Sequence, residues 1–178
     1  MTKKQQAVAK QSAKISKPTA LKAGHDVAGF SCGRAQIDDW LKNRAKKALE
    51  SDTARTYVVC RGPKRVIGYY ALAAGAVARE SASGALSRNA PDPIPVIILA
   101  RLGVDAGEQG QGIGRDLLAD AMRRSLQAAR IIGARALLIH ALDADAARFY
   151  EGLGFARLKA PEETTFFVTM REMREGLG

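Results

Sequence analysis

The spacing of hydrophobic and polar positions changes several times along this 178-residue chain. Apolar residues three or four positions apart predict amphipathic helices, here at residues 34–50, about 112–132 and 146–155. Short apolar or alternating runs predict strands, here at residues 55–61, 65–75, 96–102, 135–142 and 165–171. The strand–helix–strand succession between 96 and 142 predicts two parallel neighbouring strands joined by a crossover helix. The elements together predict an α+β (α/β) fold with a mixed central β-sheet and helices on both faces.

Two segments lie outside this pattern. The first 18 residues contain five lysines, no Asp or Glu, and few large apolar side chains. We therefore predict a disordered basic tail over residues 1–18, which contributes little to folding, and a single domain over 19–178. Residues 78–93 are polar and rich in turn-forming residues, and a loop of this length inside a domain is usually functional or mobile.

The net charge of the chain limits the classes of molecule that we expect it to bind. Lys and Arg number 28 against 18 Asp and Glu, a formal net charge of +10. Such a surface favours polyanions, whether CoA, nucleic acid or an acidic protein. We expect no membrane-spanning segment and no secretory signal, because no apolar run is long enough. Cys32 and Cys60 have neither metal-ligand nor disulfide-framework spacing, so we expect a reduced, cytoplasmic protein without a metal.

A glycine-rich loop follows the apolar run at 96–102 and leads into the long helix. Its sequence is Gln109-Gly110-Gln111-Gly112-Ile113-Gly114-Arg115. Such a loop offers backbone N–H groups and a helix N-terminus to an anion. The glycines do not have the Rossmann spacing, and the loop lacks the Gly-Lys-Ser/Thr ending of a P-loop. The loop therefore predicts a phosphate site of a different class.

The spacing Gln109-x-x-Gly112-x-Gly114 resembles the pyrophosphate loop of the GNAT acetyltransferases. The segment from Ala146 to Phe155 is similar to the helix-and-strand signature that closes the cofactor site in that family. The resemblance implies the GNAT acyl-CoA N-acyltransferase fold for the whole domain, with acetyl-CoA as cosubstrate. It also implies a set of cofactor-binding residues, namely Leu102, Val104, Gln109, Gly110, Gln111, Gly112, Ile113, Gly114 and Arg115.

A narrower resemblance covers residues 21–172. The motifs Gly24-His25-Asp26, Phe30-Ser31-Cys32-Gly33 and Gly68-Tyr69-Tyr70-Ala71-Leu72 resemble GNAT toxins of type II toxin–antitoxin modules, in particular the TacT-like branch. So do Pro93-Ile94-Pro95 and Leu99-Ala100-Arg101-Leu102. The resemblance implies acetylation of the α-amine of aminoacyl-tRNA, inhibition of translation, a homodimer, and neutralisation by a ribbon-helix-helix antitoxin. The lysine-rich tail extends beyond the pattern of this branch.

In a site of that kind, the amine attacks the thioester carbonyl directly. An α-amine has a pKa near ~8 and is partly neutral at pH 7, so a strong general base is not required. Backbone N–H groups at Leu102–Val104 are candidates for polarising the carbonyl. Tyr150 is the candidate acid that protonates the departing thiolate. Two alternatives stay open at this point: a GNAT enzyme acting on a small amine or a protein N-terminus, and a nucleic-acid-binding protein that has kept the fold.

Overall fold

The computed structural model describes residues 13–82, 84–159 and 164–176. Its strands are β1 (Thr19–Ala20), β2 (Arg55–Arg61), β3 (Arg65–Val77), β4 (Ile94–Val104), β5 (Ala136–His140), β6 (Ala156–Arg157) and β7 (Thr165–Thr169). Its α-helices are α1 (Ala35–Asp39), α2 (Ala45–Glu50), α3 (Ile113–Ile132), α4 (Ala144–Gly152) and α5 (Met170–Gly176).

The described strands form one mixed sheet in the order β1-β2-β3-β4-β5-β7-β6. Strands β4 and β5 are parallel and in register from Val96–Ala136 to Leu99–Ile139, which confirms the predicted crossover through α3. Strand β7 lies antiparallel to both β5 and β6. The predicted fold class, a mixed sheet with helices, is therefore confirmed.

The chain divides into two compact units, and the division falls within β3, β4 and α3. The first unit comprises the chain up to Ala71 together with Arg101–Asp120. Its core contains Tyr69, whose ring is stacked on Trp40 and meets Phe30 edge-on. The Tyr69 hydroxyl donates to the Ile37 carbonyl at 2.6 Å. This buried ring is therefore also held by its polar atom.

The second unit comprises Leu72–Ala100 and the chain from Ala121 onward. Its core packs apolar residues of β4, β5 and β7 against part of the 78–93 segment. Leu86 of that segment is fully buried, so the predicted polar loop is anchored in this core.

Several boundaries differ from the sequence prediction. The predicted helix over 34–50 contains a π-helical stretch, Trp40–Arg44, between α1 and α2. The predicted strand over 165–171 ends at Thr169, where α5 begins after it. The Glu172 carboxylate accepts from the Thr169 backbone N–H at 2.8 Å, and the Glu172 N–H donates to Thr169 Oγ1 at 3.2 Å. These reciprocal bonds form a capping box, which starts the helix and so ends the strand.

Contacts with the sheet begin before Pro18, the boundary predicted for the basic tail. Ile15 forms an antiparallel bridge with Arg61, and the Ser16 N–H donates to the Cys60 carbonyl at 2.8 Å. Residues 13–18 therefore extend the pairing along β2, whereas the rest of the predicted tail, residues 1–12, lies outside the described residues.

Candidate active site

The glycine-rich loop begins where β4 ends, in the first unit. The Asp105 carboxylate closes a tight turn by accepting from the Gly107 N–H at 3.1 Å, and it also accepts from the Ser31 N–H at 3.1 Å. Gly110 and Gly112 have positive φ angles of 81° and 84°. Only glycine adopts such angles readily. These two left-handed residues turn the chain into α3, which begins at Ile113.

The start of α3 presents unsatisfied donors. The Asp116 N–H donates to the Gly112 carbonyl at 3.1 Å and forms the first bond of the helical ladder. The N–H groups of Ile113, Gly114 and Arg115 precede that bond and have no acceptor within the helix. This end of the helix also carries the positive pole of the helix dipole, so the predicted loop residues meet at a site suited to a phosphate.

Gly114 lies in the first turn of α3. A Cβ placed there would meet the side chain of Val104 at 3.8 Å, which is ordinary van der Waals contact. Packing within the protein therefore leaves room for a methyl group at this position. The fold itself therefore does not require a glycine at this position.

The Gln109 side chain braces the loop. Its amide nitrogen donates to the Val104 carbonyl at 3.0 Å and to the Cys32 carbonyl at 3.1 Å. The bond to Cys32 ties the loop to the segment that precedes α1. The structure thus gives the side chain of this predicted cofactor residue a positioning role.

A buried ion pair, which sequence reasoning missed, lies beneath the loop. The Glu108 carboxylate accepts from Arg61 Nε at 2.8 Å and from Arg61 Nη2 at 2.5 Å, and Arg65 lies 3.7 Å from it. Hydrogen bonding to Arg61 holds the pKa of Glu108 below its ordinary value, and the same bond raises the pKa of Arg61. Gln111 also donates to Glu108, at 3.2 Å. The pair joins the end of β2 to the loop, but the two residues are 47 positions apart and no local motif pairs them.

The end of β4 supplies the other predicted cofactor residues. Leu102 and Val104 are half-buried, whereas Gly103 between them is buried. A Cβ at Gly103 would approach Ile37 Cγ2 to 2.5 Å, so this face of the strand is packed tightly against α1. Because side chains alternate along a strand, Leu102 and Val104 point away from that packed face.

Tyr150, the predicted acid, belongs to the second unit. It lies in α4, whose N-cap is Asp143. The Asp143 carboxylate accepts from the Ala146 N–H at 2.8 Å, which satisfies a donor of the first helical turn. The Tyr150 ring is 6% exposed and contacts three phenylalanines, Phe149, Phe155 and Phe166, at centroid distances of 5.2, 5.8 and 6.0 Å. These ring contacts hold Tyr150 within an aromatic cluster.

The described residues contain neither a metal-ion cluster nor a membrane-spanning helix. No cluster of three or more His, Cys, Asp or Glu side chains there could hold a metal ion. None of the helices in the same residues combines the length and the apolar character needed to cross a bilayer.

Comparison with known proteins identifies relatives for almost the whole chain. Residues 52–157 match the acetyltransferase (GNAT) domain family. A tRNA-acetylating toxin of Mycobacterium tuberculosis (strain ATCC 25618 / H37Rv) is 42% identical over 163 residues, which cover 92% of this chain and 97% of the toxin.

The chain is also similar to solved structures of GNAT-fold toxins. The toxin AtaT complexed with acetyl-methionyl-tRNAfMet has a TM-score of 0.84 and 27% identity, covering 93% of this chain and 100% of that one. A tyrosine-to-phenylalanine mutant of AtaT bound to acetyl-CoA and the C-terminus of the antitoxin AtaR has a TM-score of 0.80 and 28% identity, covering 92% and 98%.

Proposed function

This chain belongs to the GNAT family of acetyltransferases, and on that premise we propose that it transfers the acetyl group of acetyl-CoA to the α-amine of aminoacyl-tRNA. The observation that carries the proposal is the 42% identity, over 92% of the chain, to a tRNA-acetylating toxin. Acetylation of that amine removes the nucleophile needed for peptide-bond formation, so the protein acts as a toxin that inhibits translation. Its reaction belongs in the cytoplasm, where charged tRNA is used.

Acetyl-CoA binds at the glycine-rich loop in this proposal. The pyrophosphate receives hydrogen bonds from the N–H groups at the start of α3 and from the loop residues Gly110, Gln111 and Gly112. Arg115, which is exposed in the first turn of α3, adds a positive charge beside the same anion. The acyl arm lies along the end of β4 at Leu102 and Val104. A similar toxin that binds acetyl-CoA supports this assignment.

The chemical step requires a general acid from the protein but no strong general base. The neutral α-amine attacks the thioester carbonyl carbon, and the N–H groups of Leu102–Val104 stabilise the oxyanion that forms. The C–S bond then breaks, and the thiolate of CoA takes a proton from the Tyr150 hydroxyl. The reference pKa of tyrosine exceeds that of a thiol by ~1.5 units, so this transfer is uphill by only ~2 kcal/mol. The nitrogen of the new amide loses a proton, which returns to the tyrosinate directly or through water and restores the acid.

The proposal extends to the partners of the protein. A toxin of this kind must be held inactive until it is needed, and we propose a cognate antitoxin of the ribbon-helix-helix type and a homodimeric toxin. A similar toxin bound to the C-terminus of its antitoxin supports the existence of a cognate antitoxin. Copurification of this chain with the product of a neighbouring small reading frame, followed by a molar-mass measurement, tests both parts.

The test of the activity uses purified protein, acetyl-CoA and a pool of charged tRNA. The expected product is N-acetylaminoacyl-adenosine, released by nuclease digestion and identified by mass spectrometry. A parallel reaction offers a free amino acid ester and a peptide N-terminus as acceptors. Turnover with these acceptors and none with charged tRNA would identify an enzyme that acts on small amines or protein N-termini.

A further inference from the structure

An arginine-lined pocket lies in the second unit, beside the first residues of β5. It has a volume of about 280 Å³. Four arginines line it, namely Arg88, Arg135, Arg171 and Arg174, and no acidic residue does. The rest of the lining consists of Ala85, Ala134, Thr169 and Met170. None of these residues belongs to the glycine-rich loop or to the aromatic cluster around Tyr150.

Arg135 is a fixed part of the pocket wall. Its backbone N–H donates to the Pro95 carbonyl at 2.8 Å, and its own carbonyl accepts from the Met170 N–H at 3.0 Å. Its Nη2 donates to the carbonyls of Ala85 and Arg88, at 3.0 and 2.8 Å. The guanidinium is therefore held in place by backbone on several sides.

One donor of that guanidinium has no acceptor. Arg135 Nε is buried and makes no hydrogen bond with the described residues. A buried donor without an acceptor is unfavourable, and a nearby anion would offset part of that cost. The four guanidinium groups that line the pocket, with no acidic residue among the lining, favour an anionic ligand there. Arg88 and Arg174 are exposed at the same pocket, and Arg171 is held by an exposed pair with Glu175 at 3.0 Å. All three can turn toward a bound anion.

We propose that this pocket binds a backbone phosphate of the RNA substrate, at a point separate from the reacting amine. Arginine forks match the geometry of phosphate oxygens. The pocket's apolar lining is limited to two alanines and Met170, so a ligand must gain its affinity from charge. This favours a phosphodiester over an amphipathic peptide, which requires an apolar groove.

The position of the pocket requires a long ligand, and this step rests on the proposed function. The Tyr150 ring contacts Phe166, whereas the pocket includes Thr169, three residues farther along β7. Three strand residues span about 10 Å, and because side chains alternate along a strand, Phe166 and Thr169 point to opposite faces of the sheet. A ligand that offers its amine to Tyr150 and an anion to this pocket must extend at least that far. A polynucleotide does so, whereas an aminoacyl group alone does not.

The experiment compares a double variant, Arg88→Gln with Arg174→Gln, with wild type. The control is Arg130→Gln, which removes an exposed arginine of α3 outside the pocket. Binding of charged tRNA is measured against salt concentration. We expect weaker binding by the double variant, and a slope of log affinity against log salt that falls by about 0.7–0.9 for each phosphate that the variant no longer binds. Acetyl-CoA affinity and melting temperature should stay at wild-type values.

Two further measurements, thermal protection by inorganic phosphate and binding of the antitoxin, distinguish a phosphate ligand from an acidic peptide. Inorganic phosphate alone should protect wild type against thermal unfolding more than it protects the double variant. Unchanged tRNA affinity and salt slope in the double variant, or an equal loss of affinity in Arg130→Gln, would overturn the proposal. Loss of antitoxin binding with RNA binding intact would overturn it in favour of an acidic peptide. If wild type binds charged tRNA but never acetylates it, the proposed function fails while the pocket assignment stands.

Discussion

At the scale of single residues, Gly114 separates the demands of the fold from those of the ligand. Its Cβ position is free of close contacts, and alanine is a better helix former than glycine. We expect a bulky replacement, Gly114→Phe, to weaken acetyl-CoA binding at least tenfold, because the larger side chain keeps the pyrophosphate from the helix terminus. Gly114→Ala should stabilise the protein by about 0.5–1 kcal/mol and keep the affinity, because the pattern of the resembled loop accepts alanine at this position. Thermal melting and calorimetric titration measure the two effects on each variant.

A matched control is Gly29→Ala, where a Cβ would meet no atom within 4 Å and which lies outside the loop. It should leave acetyl-CoA affinity unchanged. If Gly114→Phe binds acetyl-CoA as tightly as wild type, the pyrophosphate does not approach the start of α3.

Tyr150 permits a similar separation of packing from chemistry. Phenylalanine keeps the ring that contacts Phe149, Phe155 and Phe166, so Tyr150→Phe should fold normally. Loss of a general acid lowers the rate by ~10²–10⁴, which should abolish growth arrest. Initial rates with charged tRNA and growth after induction measure the loss.

Tyr57→Phe is the comparison, because Tyr57 also contacts an aromatic ring, that of Tyr70, on which it is stacked. It should retain wild-type turnover. Full toxicity of Tyr150→Phe would show that the thiolate takes its proton from another group.

The sequence shows where the glycine-rich loop lies but not which residues support it. A glycine spacing is local, so Gly110, Gly112 and Gly114 could be found by reading along the chain. The pair between Arg61 and Glu108 depends on how β2 meets the loop, and side-chain periodicity carries no information on that contact. The bracing role of Gln109 likewise depends on the Cys32 carbonyl, 77 residues away.

At the scale of elements, the Arg61–Glu108 pair fastens β2 to the glycine-rich loop. Both side chains are more than nine-tenths buried, and removal of one partner from such a pair costs about 3–5 kcal/mol. We expect Glu108→Gln to lose stability of this order at pH 7. The exposed Arg171–Glu175 pair provides the control, because Glu175→Gln should change stability by less than ~1 kcal/mol.

The stability difference between wild type and Glu108→Gln should depend on pH, because the native pKa of Glu108 is lowered. The unfolded chain binds the proton more tightly than the native carboxylate does, so the pair stabilises the fold above the ordinary pKa. That stability is lost as the pH falls below the ordinary value of 4.5 and through the native pKa. Denaturant melts of wild type and Glu108→Gln should therefore converge in acid. A gap that stays constant far below the ordinary pKa would contradict the assignment.

The segment before β1 is a second structural element, and it changes what truncation should do. The Ser16 hydroxyl accepts from the Cys60 N–H at 2.9 Å, and the Ala13 and Lys14 carbonyls accept from Arg61 and Gly62 at 2.8 and 3.1 Å. At about 1 kcal/mol for each net hydrogen bond, a chain that starts at Thr19 should melt roughly 5–10 °C lower. A chain that starts at Ala13 keeps these bonds and is the control. Equal melting temperatures for the two truncations would show that residues 13–18 add nothing to folding.

The two ends of the chain show why some elements were predicted poorly. Residues 13–18 lack an apolar pattern, because their pairing with β2 uses backbone groups and the Ser16 hydroxyl. The start of α5 did carry a local signal, since Thr169-x-x-Glu172 is a capping-box sequence. Phe166 and Phe167 directly before it favour a continuous strand, and this apolar run outweighs the capping signal when the pattern is read along the sequence.

At the scale of the whole molecule, the order of elements was predictable because hydrophobic periodicity reflects burial in one sheet. The aromatic cluster that holds Tyr150 was not, because it arises from tertiary packing between α4 and β7. The substrate is even harder to predict from local sequence patterns. The basic charge admits any polyanion, and only the likeness to tRNA-acetylating toxins narrows it.

The most direct measurement is mass spectrometry of charged tRNA after reaction with the purified protein and acetyl-CoA. The account predicts N-acetylaminoacyl-adenosine in the nuclease digest with wild type, and little or none with Tyr150→Phe at equal protein and time. Charged tRNA left unmodified by wild type, while the same preparation consumes acetyl-CoA with a small amine, would contradict it.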